Sequence, residues 1–451
     1  MFIDTFNISK IIKVKLLVSW YNFFNFTLIK PYQVPKLNRY SKTSLSQKNL
    51  LTIMKKKLQH ALCILVLLLC ATSCKKNRET DTIDIGKDAF VSATSVGNFT
   101  KLQLQAAAVL KGFSSYASLI QYDVDFYQIT YKTTYKGNKI NASGLLCIPK
   151  GMTTTPALLS AQHGTMFRDA DAPSNFPTAF TGFELFASTG FITVIPDFVG
   201  YGVSKDIVHP YYDMQTSGLA VTDMLQAVKY YLKDKSIAVS NKLFLVGYSE
   251  GGYVTMASQK EIETNTTDDL TLTAAAEGAG GYDVTGMLAK VATVTTYPDP
   301  SFFALFMQAY NTTYNYNRPL TDFFTQPAAT NIPSLLDGSK TSDQINAALP
   351  PTLPALFNPT FYAALSNPAA ESAFKAQVAA NSFPNWYPVS PTRLYHGTAD
   401  QNVYFETSQS TFTKFKAAGS TQLTLIPIPN GTHETSVTPM MVDALQWFKS
   451  L

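Results

Sequence analysis

Short, continuous apolar runs alternate with helical patterns along most of this chain. A strand that is apolar along its whole length has both faces buried, as in a parallel sheet covered by helices on each side. Between two such runs, the segment at residues 217–234 carries apolar residues at helical spacing. The chain is therefore expected to form an α/β fold, with a mostly parallel central sheet flanked by helices. The runs are PALLSAQHG (156–164), FITVIPDF (191–198), KLFLVGYS (242–249) and TLTAAAEG (271–278).

Two further features frame this alternating region. Upstream, residues 124–135 and 139–149 are rich in aromatic and β-branched residues and predict a hairpin of edge strands. Downstream, the alternation stops after residue 284. The residues that follow, about 284–390, carry many aromatic residues and scattered prolines, which predicts an inserted cap of short helices. The alternation then resumes with TRLYHG (392–397), LTLIPIP (423–429) and an amphipathic helix (439–451).

The N-terminal part of the chain has the composition of an export signal. Residues 54–74 contain basic residues, a short apolar run and then small residues before a cysteine. These small residues resemble the lipobox of bacterial lipoproteins, in which the peptidase cuts before the cysteine and lipid is attached to its sulfur. We interpret residues 54–73 as a lipoprotein signal peptide, Cys74 as the lipidated residue and residues 1–53 as an upstream extension or a mis-assigned start. The protein is thus expected to be exported and anchored by lipid to the bacterial cell envelope.

Removal of the signal reverses the sign of the net charge. The whole chain carries a formal charge of +5, but residues 1–74 hold 11 of its 36 basic and 1 of its 31 acidic residues. The exported body therefore has a net charge of about −5 and no basic stripe, so no nucleic-acid partner is expected. Its first part, residues 74–120, is interpreted as a tether and N-terminal segment. Cys147 is the remaining cysteine after Cys74 and cannot form an internal disulfide.

One serine lies between glycines directly after the third apolar run. The pentapeptide GYSEG (247–251) stands between a predicted strand and a predicted helix that begins at Gly252. A serine hydroxyl is a weak nucleophile unless a base takes its proton and donors stabilise the oxyanion. A sharp strand-to-helix turn would expose the oxygen of Ser249, and side chains in place of Gly247 and Gly251 would collide in such a turn. Ser249 is therefore the predicted nucleophile.

This arrangement resembles the nucleophile elbow of the α/β-hydrolase superfamily. The resemblance covers residues 124–451, and it implies an α/β-hydrolase domain at 121–451 with a helical cap inserted before the strand that bears the catalytic acid. It also implies that the acid and then the histidine of a catalytic triad follow the serine. Within the superfamily the chain is most similar to secreted lipases and esterases, through the segments ASGLLCIP, QHGT, PDFVGYG and GYSEGG.

Both remaining members of the implied triad have candidates downstream. Asp400 lies in HGTADQNVYF, which is similar to the segment that carries the acid in many of these hydrolases. His433, in PNGTHETS after the last predicted strand, occupies the family's usual place for the base. Asp283 is an alternative acid, because some members of the superfamily keep the acid after the preceding strand.

The same resemblance assigns further residues. The backbone N–H groups of Glu250 and Thr165 are expected to form the oxyanion hole. Asp197 is interpreted as a residue that fixes the loop after the second apolar run. His163 and His396 each precede a glycine at a strand end and resemble turn residues.

The expected chemistry is acyl transfer through an acyl-enzyme, without cofactor or metal, since no cluster of ligands with metal spacing appears. The motifs favour an esterase or lipase that acts on small-molecule or lipid esters. A serine peptidase similar to the prolyl oligopeptidase or acyl-aminoacyl group is the alternative, but those enzymes usually carry a propeller for which this chain has no room before residue 124. A third possibility is a non-catalytic binding protein on the same fold. The sequence leaves acyl length and oligomeric state open.

Overall fold

Nine strands form a single mixed sheet in the computed structural model, which describes residues 85–265 and 269–451. Their order across the sheet is β1-β2-β3-β5-β4-β6-β7-β8-β9. The pairs β1–β2, β2–β3 and β3–β5 are antiparallel, and the other pairs are parallel. The predicted, mostly parallel sheet is confirmed. The strands are β1 Phe90–Phe99, β2 Val124–Tyr135, β3 Asn138–Pro149, β4 Ala157–Gln162, β5 Phe191–Pro196, β6 Leu243–Tyr248, β7 Ala274–Gly278, β8 Thr392–Gly397 and β9 Leu423–Ile428.

Helices cover both faces of this sheet. On one face, helix α5 (Met214–Asp234) buries Val221 and Met224 against strand residues that include Leu245. On the other face, helix α15 (Val437–Ser450) buries Leu445 and Phe448 against strand residues from β6. Each such side chain contributes roughly 1.5–3 kcal/mol when it leaves water. The helices of the sheet layers are α1 Ile85–Ala89, α2 Lys101–Leu110, α3 Ser114–Ala117, α4 Leu185–Ser188, α5 Met214–Asp234, α6 Glu250–Thr264, α14 Phe405–Ala418 and α15 Val437–Ser450.

The edge of the sheet differs from the prediction. The hairpin of β2 and β3 was expected at the edge, but β1 pairs with the outer side of β2 and forms the edge itself. The sheet therefore begins at Phe90, inside the segment 74–120 that was interpreted as tether and N-terminal segment. The sequence of β1 shows no clear alternation, because the strand is half exposed and its pairing with β2 is interrupted by two register shifts. Irregular edges of this kind hinder pairing with other chains.

Several N-terminal predictions concern residues outside the described part of the chain. These are the extension (1–53), the signal peptide (54–73), Cys74 and the start of the tether. Among residues 85–265 and 269–451, no helix has both the length and the apolar character needed to cross a membrane.

A helical insertion separates β7 from β8, as predicted. Its helices begin at Val284 and end at Ala380, within the expected range of about 284–390. We call residues 284–380 the cap. Its helices are α7 Val284–Val291, α8 Pro300–Thr313, α9 Ala328–Leu335, α10 Ser342–Ala348, α11 Leu353–Leu356, α12 Pro359–Ser366 and α13 Ser372–Ala380.

Buried polar contacts attach the cap to the start of α5. The Nδ2 group of Asn381 donates to the hydroxyls of Tyr310 (2.9 Å) and Tyr314 (2.6 Å), and its Oδ1 accepts from the backbone N–H of Met214 (3.0 Å). The Tyr314 hydroxyl in turn donates to Asp213 at 2.6 Å. Asn381 is buried and the other contacts are buried or partly buried, so these hydrogen bonds hold the cap against the start of the helix.

Asp197 connects the hairpin to the loop after β5. Its two carboxylate oxygens accept from the hydroxyl of Ser143 (2.6 Å) and the backbone N–H of Ser174 (2.8 Å). The same Ser143 hydroxyl accepts from the N–H of Val203 at 3.0 Å. Burial raises the pKa of Asp197, and these hydrogen bonds oppose that increase. The contacts are those expected of a residue that fixes this loop.

Replacement of Ser143 by alanine should lower the free energy of unfolding by about 1–3 kcal/mol, because a buried carboxylate oxygen loses its donor. Urea unfolding monitored by circular dichroism measures the change. Ser95→Ala, at an exposed position of β1, is the matched control and should shift stability by less than about 0.5 kcal/mol. Equal shifts in the two variants would contradict the structural role of Ser143.

Candidate active site

Ser249 occupies the turn between β6 and α6. Its backbone has φ 59° and ψ −128°, a strained conformation for a residue with a side chain. The N–H of Ser249 donates to the carbonyl of Gly278 at 2.9 Å, so that the neighbouring strand β7 helps to hold the turn. Helix α6 begins at Glu250, two residues before the predicted start at Gly252. The serine therefore lies directly between strand and helix.

The glycines around Ser249 are required by close packing. A Cβ atom on Gly247 would overlap the carbonyl oxygen of Gly251, and one on Gly251 would overlap the carbonyl oxygen of Gln162. These neighbours are backbone atoms, which cannot move aside as a flexible side chain can. Glycine at both positions thus permits the tight approach of α6 to β4 and β6.

The structure brings Ser249, His433 and Asp400 into one line of hydrogen bonds. The Oγ of Ser249 lies 2.8 Å from Nε2 of His433, and Nδ1 of His433 lies 2.7 Å from Oδ2 of Asp400. A carboxylate at Nδ1 favours the tautomer that carries its proton there, which leaves Nε2 free to accept the serine proton. The arrangement can therefore activate the serine hydroxyl for nucleophilic attack.

Asp400 is buried but surrounded by donors. Its Oδ1 accepts from the backbone N–H groups of Asn402 and Val403, both at 2.9 Å. Burial alone would raise the pKa of Asp400, but the hydrogen bonds from His396 and His433 outweigh it and hold the pKa below its ordinary value. The carboxyl group is therefore ionised at neutral pH.

His396 contacts this acid, which the sequence did not reveal. It lies within β8, fully buried, and is not a turn residue. Its Nε2 is 2.7 Å from the carbonyl oxygen of Val403 and 3.3 Å from Oδ2 of Asp400, while its Nδ1 is 2.7 Å from Oγ of Ser408. A histidine four residues before the acid, at the end of the preceding strand, was the signal available in the sequence. The ring fixes the loop that carries Asp400.

The structure places the alternative acid elsewhere. Oδ1 of Asp283 accepts from the N–H of Gly286 at 2.8 Å and caps helix α7, and its Oδ2 accepts from the hydroxyl of Ser410 at 2.7 Å. An N-cap of this kind stabilises a helix by about 1 kcal/mol. These contacts hold Asp283 at the start of α7, and neither of them involves His433.

The two expected oxyanion donors belong to segments that adjoin Ser249. Glu250 follows it in the chain, and Thr165 follows Gly164, whose Cα faces the Cβ of Ser249. Within the described residues, neither the N–H of Glu250 nor that of Thr165 donates to a protein acceptor. Both groups are thus available to a ligand.

Two cavities of opposite character meet at Ser249. The first, which we call the cap pocket, is apolar, and the second, the open cleft, is polar. His433 lines the open cleft, and it is absent from the residues that line the cap pocket. The cap pocket is lined by Tyr212, Val284, Leu288, Phe302, Phe306 and Leu365 among others, and the open cleft by Thr165, Asp299, Asp343, Asn402 and Glu434 among others.

The chain is similar to a known protein family and to several solved structures. A family model described as "Secretory lipase" matches residues 173–450. A Legionella pneumophila protein described as a candidate hydrolase is 26% identical, with 80% of this chain and 98% of that chain covered and a TM-score of 0.73. The rice cell wall degrading esterase LipA of Xanthomonas oryzae, in a ligand-bound form, is 25% identical, with 80% and 96% covered and a TM-score of 0.68.

A more distant match shows the fold alone. Candida antarctica lipase A in its closed state is 17% identical, with 81% of this chain and 83% of that chain covered and a TM-score of 0.58. The search of curated proteins gave no match.

Exchange of Asp400 for asparagine should slow the reaction of Ser249 with a fluorophosphonate. The amide presents a donor to Nδ1 of His433 and favours the wrong tautomer. In serine–histidine–aspartate triads this exchange lowers turnover on the order of 10⁴-fold. Rates of covalent labelling, followed by mass spectrometry of the intact protein, measure the effect. Asp283→Asn is the control and should label at the wild-type rate. The opposite ranking of the two variants would make Asp283 the acid.

Proposed function

The chain belongs to the secretory lipase family, has the α/β-hydrolase fold and is a carboxylic ester hydrolase, and we propose that it acts through an acyl-enzyme on Ser249. The observation that supports this mechanism is the hydrogen-bonded line from Ser249 through His433 to Asp400, with separations of 2.8 and 2.7 Å. It provides a nucleophile, a base and an orienting carboxylate within contact distance.

In the proposed reaction, Nε2 of His433 takes the proton from Oγ of Ser249 as that oxygen attacks the ester carbonyl carbon. The carbonyl oxygen becomes an oxyanion, which the N–H groups of Glu250 and Thr165 stabilise. When the tetrahedral intermediate collapses, His433 returns the proton to the departing alcohol oxygen. Water then attacks the acyl-enzyme with the same base, and the free acid leaves. Asp400 stays ionised throughout and stabilises the imidazolium.

The position of His433 orients the substrate. The alcohol oxygen must receive its proton from this ring, so we place the alcohol in the open cleft, which His433 lines. The acyl group then occupies the cap pocket, whose lining is almost entirely apolar. An ester of an apolar acid with a polar alcohol fits both cavities.

A panel of nitrophenyl esters should be hydrolysed by the wild type and not by Ser249→Ala, with a loss of at least ~10⁴ in kcat/KM. Aminoacyl anilides, run beside the esters, test the peptidase alternative and should not be cleaved. Esters extended with glycol units on the alcohol side should be accepted more readily than esters whose acyl chain carries the same units. Retention of full activity by Ser249→Ala would end the serine mechanism, and cleavage of the anilides alone would favour a peptidase.

Membership of the secretory lipase family supports export. We further propose that the exported form begins at Cys74 and carries lipid on its sulfur, since small residues precede this cysteine after an apolar run. In this proposal Met54 is the first residue translated, residues 54–73 are removed, and the hydrolase domain follows the tether.

Cys74→Ala should release the protein from the membrane fraction, because a single cysteine would carry the anchor. Fractionation of the native host with metabolic labelling by a palmitate analogue measures both anchoring and acylation. The unchanged protein, labelled and membrane-bound, is the control. Peptides from residues 1–53 in the mature protein, or an unlabelled wild type, would contradict the proposal.

A further inference from the structure

A short segment between β5 and α5 touches both residues to which the oxyanion hole is assigned. The segment is His209-Pro210-Tyr211-Tyr212, which we call the HPYY segment. His209 contacts the side chain of Glu250, and Tyr211 contacts the side chain of Thr165. Glu250 and Thr165 lie on different elements and are 85 positions apart in the printed sequence. The HPYY segment thus contacts the side chains of both residues.

The contact with Glu250 is short and shielded from solvent. Nε2 of His209 lies 2.6 Å from Oε1 of Glu250, and the exposed fractions of the two residues are 8% and 1%. Nδ1 of the same ring lies 2.6 Å from the carbonyl oxygen of Val199. The other carboxylate oxygen of Glu250, Oε2, has no hydrogen-bond partner among the described residues. The histidine is therefore the anchor of this carboxyl group.

Counting protons shows that this pair is electrically neutral. The carbonyl oxygen of Val199 can only accept, so Nδ1 of His209 carries a proton. The short contact at Nε2 then needs one more proton, which resides either on His209 or on the carboxyl group of Glu250. In both cases the pair has no net charge. An unpaired carboxylate at this position would oppose the negative charge that develops beside the N–H of the same residue.

The contact with Thr165 is a partly buried hydrogen bond between two hydroxyl groups. The hydroxyl of Tyr211 lies 2.8 Å from Oγ1 of Thr165, and the Tyr211 side chain is 5% exposed. Burial raises the pKa of the Tyr211 hydroxyl well above its usual value, so the group stays protonated and neutral. This bond restrains the loop that follows β4.

The HPYY segment is itself firmly held. The N–H of Tyr211 donates to the carbonyl of His209 at 2.9 Å, which closes a tight turn. The hydroxyl of Tyr212 donates to the carbonyl of Gly280 at 3.1 Å, and the carbonyl of Tyr212 accepts from the hydroxyl of Tyr253 at 3.3 Å. A Cβ atom on Gly200 would overlap the backbone and Cβ of His209, so the preceding loop packs closely on the start of the segment. Because these contacts restrain the HPYY segment, the segment can in turn restrain Glu250 and Thr165.

We propose that His209 and Tyr211 are positioning residues that hold the two oxyanion donors at the spacing required by the transition state. The proposal rests on the proposed function, in which the N–H groups of Glu250 and Thr165 bind the oxyanion. Donors of this kind act only when they are aimed at the place where charge develops. Loss of either restraint should therefore weaken binding of the tetrahedral state and leave binding of the ground-state ester nearly unchanged.

The first test uses Tyr211→Phe, Thr165→Val and the double variant. Each single variant removes the same hydrogen bond, so kcat for a nitrophenyl ester should fall about 10-fold in each and no further in the double variant, with KM changed less than about twofold. Affinity for a trifluoromethyl ketone, which forms a tetrahedral adduct, should fall in parallel with kcat. Tyr131→Phe is the matched control, since Tyr131 is a buried tyrosine on β2 whose hydroxyl has no partner among the described residues.

The second test addresses the pair of His209 and Glu250. Glu250→Leu should lower kcat by about 10-fold to 10²-fold. Glu250→Gln should recover most of that loss, because its amide can donate to Nε2 of a neutral His209 without introducing charge. If Glu250→Leu fails to fold, the kcat of Glu250→Gln and the kcat values of Tyr211→Phe, Thr165→Val and their double variant still test the positioning role.

The outcomes separate the inference from the function on which it rests. An inactive Ser249→Ala beside a fully active Tyr211→Phe would overturn the positioning role alone. Additive losses in the double variant, or equal losses in KM and in ketone affinity, would also overturn it, because they indicate general damage. An active Ser249→Ala would overturn the serine mechanism, and the positioning role with it.

Discussion

The strained backbone at Ser249 is the constraint on which the site depends. A residue with φ 59° between a strand and a helix is unfavourable by itself, and it persists because the surrounding packing leaves no alternative. Gly247 and Gly251 let helix α6 approach two strands at backbone distance, and the carbonyl of Gly278 accepts from the serine N–H. The sheet therefore positions the hydroxyl, and the histidine and the carboxylate need only reach it from loops at the same edge.

Much of this arrangement could be predicted from the sequence, because it depends on local patterns of apolar residues and glycines. Apolar runs identified β4 to β9 and glycine spacing identified the turn, while the resemblance to α/β-hydrolases implied Asp400 and His433. The failures have different physical causes. Strand β1 is half exposed and irregularly paired, so it carries no clear periodicity. His209 contacts Glu250 on a separate element, and such a contact leaves no local signature in a single sequence. For His396 the signal was its position four residues before Asp400.

Buried carboxyl groups in this protein are accommodated in different ways. Asp400 is surrounded by donors, and its pKa is lowered despite burial. Oε1 of Glu250 lies 2.6 Å from Nε2 of the buried His209. Glu277 lies within β7, where neither carboxyl oxygen has a partner among the described residues, and burial followed by the charge of Glu263 raises its pKa well above the usual range. Only the first of these environments suits a group that must remain charged during a reaction.

The cap is a single uninterrupted stretch of chain between two adjacent strands of the sheet. It supplies most of the residues that line the cap pocket, whereas Ser249, His433 and Asp400 come from the sheet and its loops. In the proposed function, exchanges among the cap residues that line this pocket would change which acyl group fits, while Ser249, His433 and Asp400 keep their contacts with one another. Acyl selectivity and bond cleavage would then be governed largely by different parts of one chain.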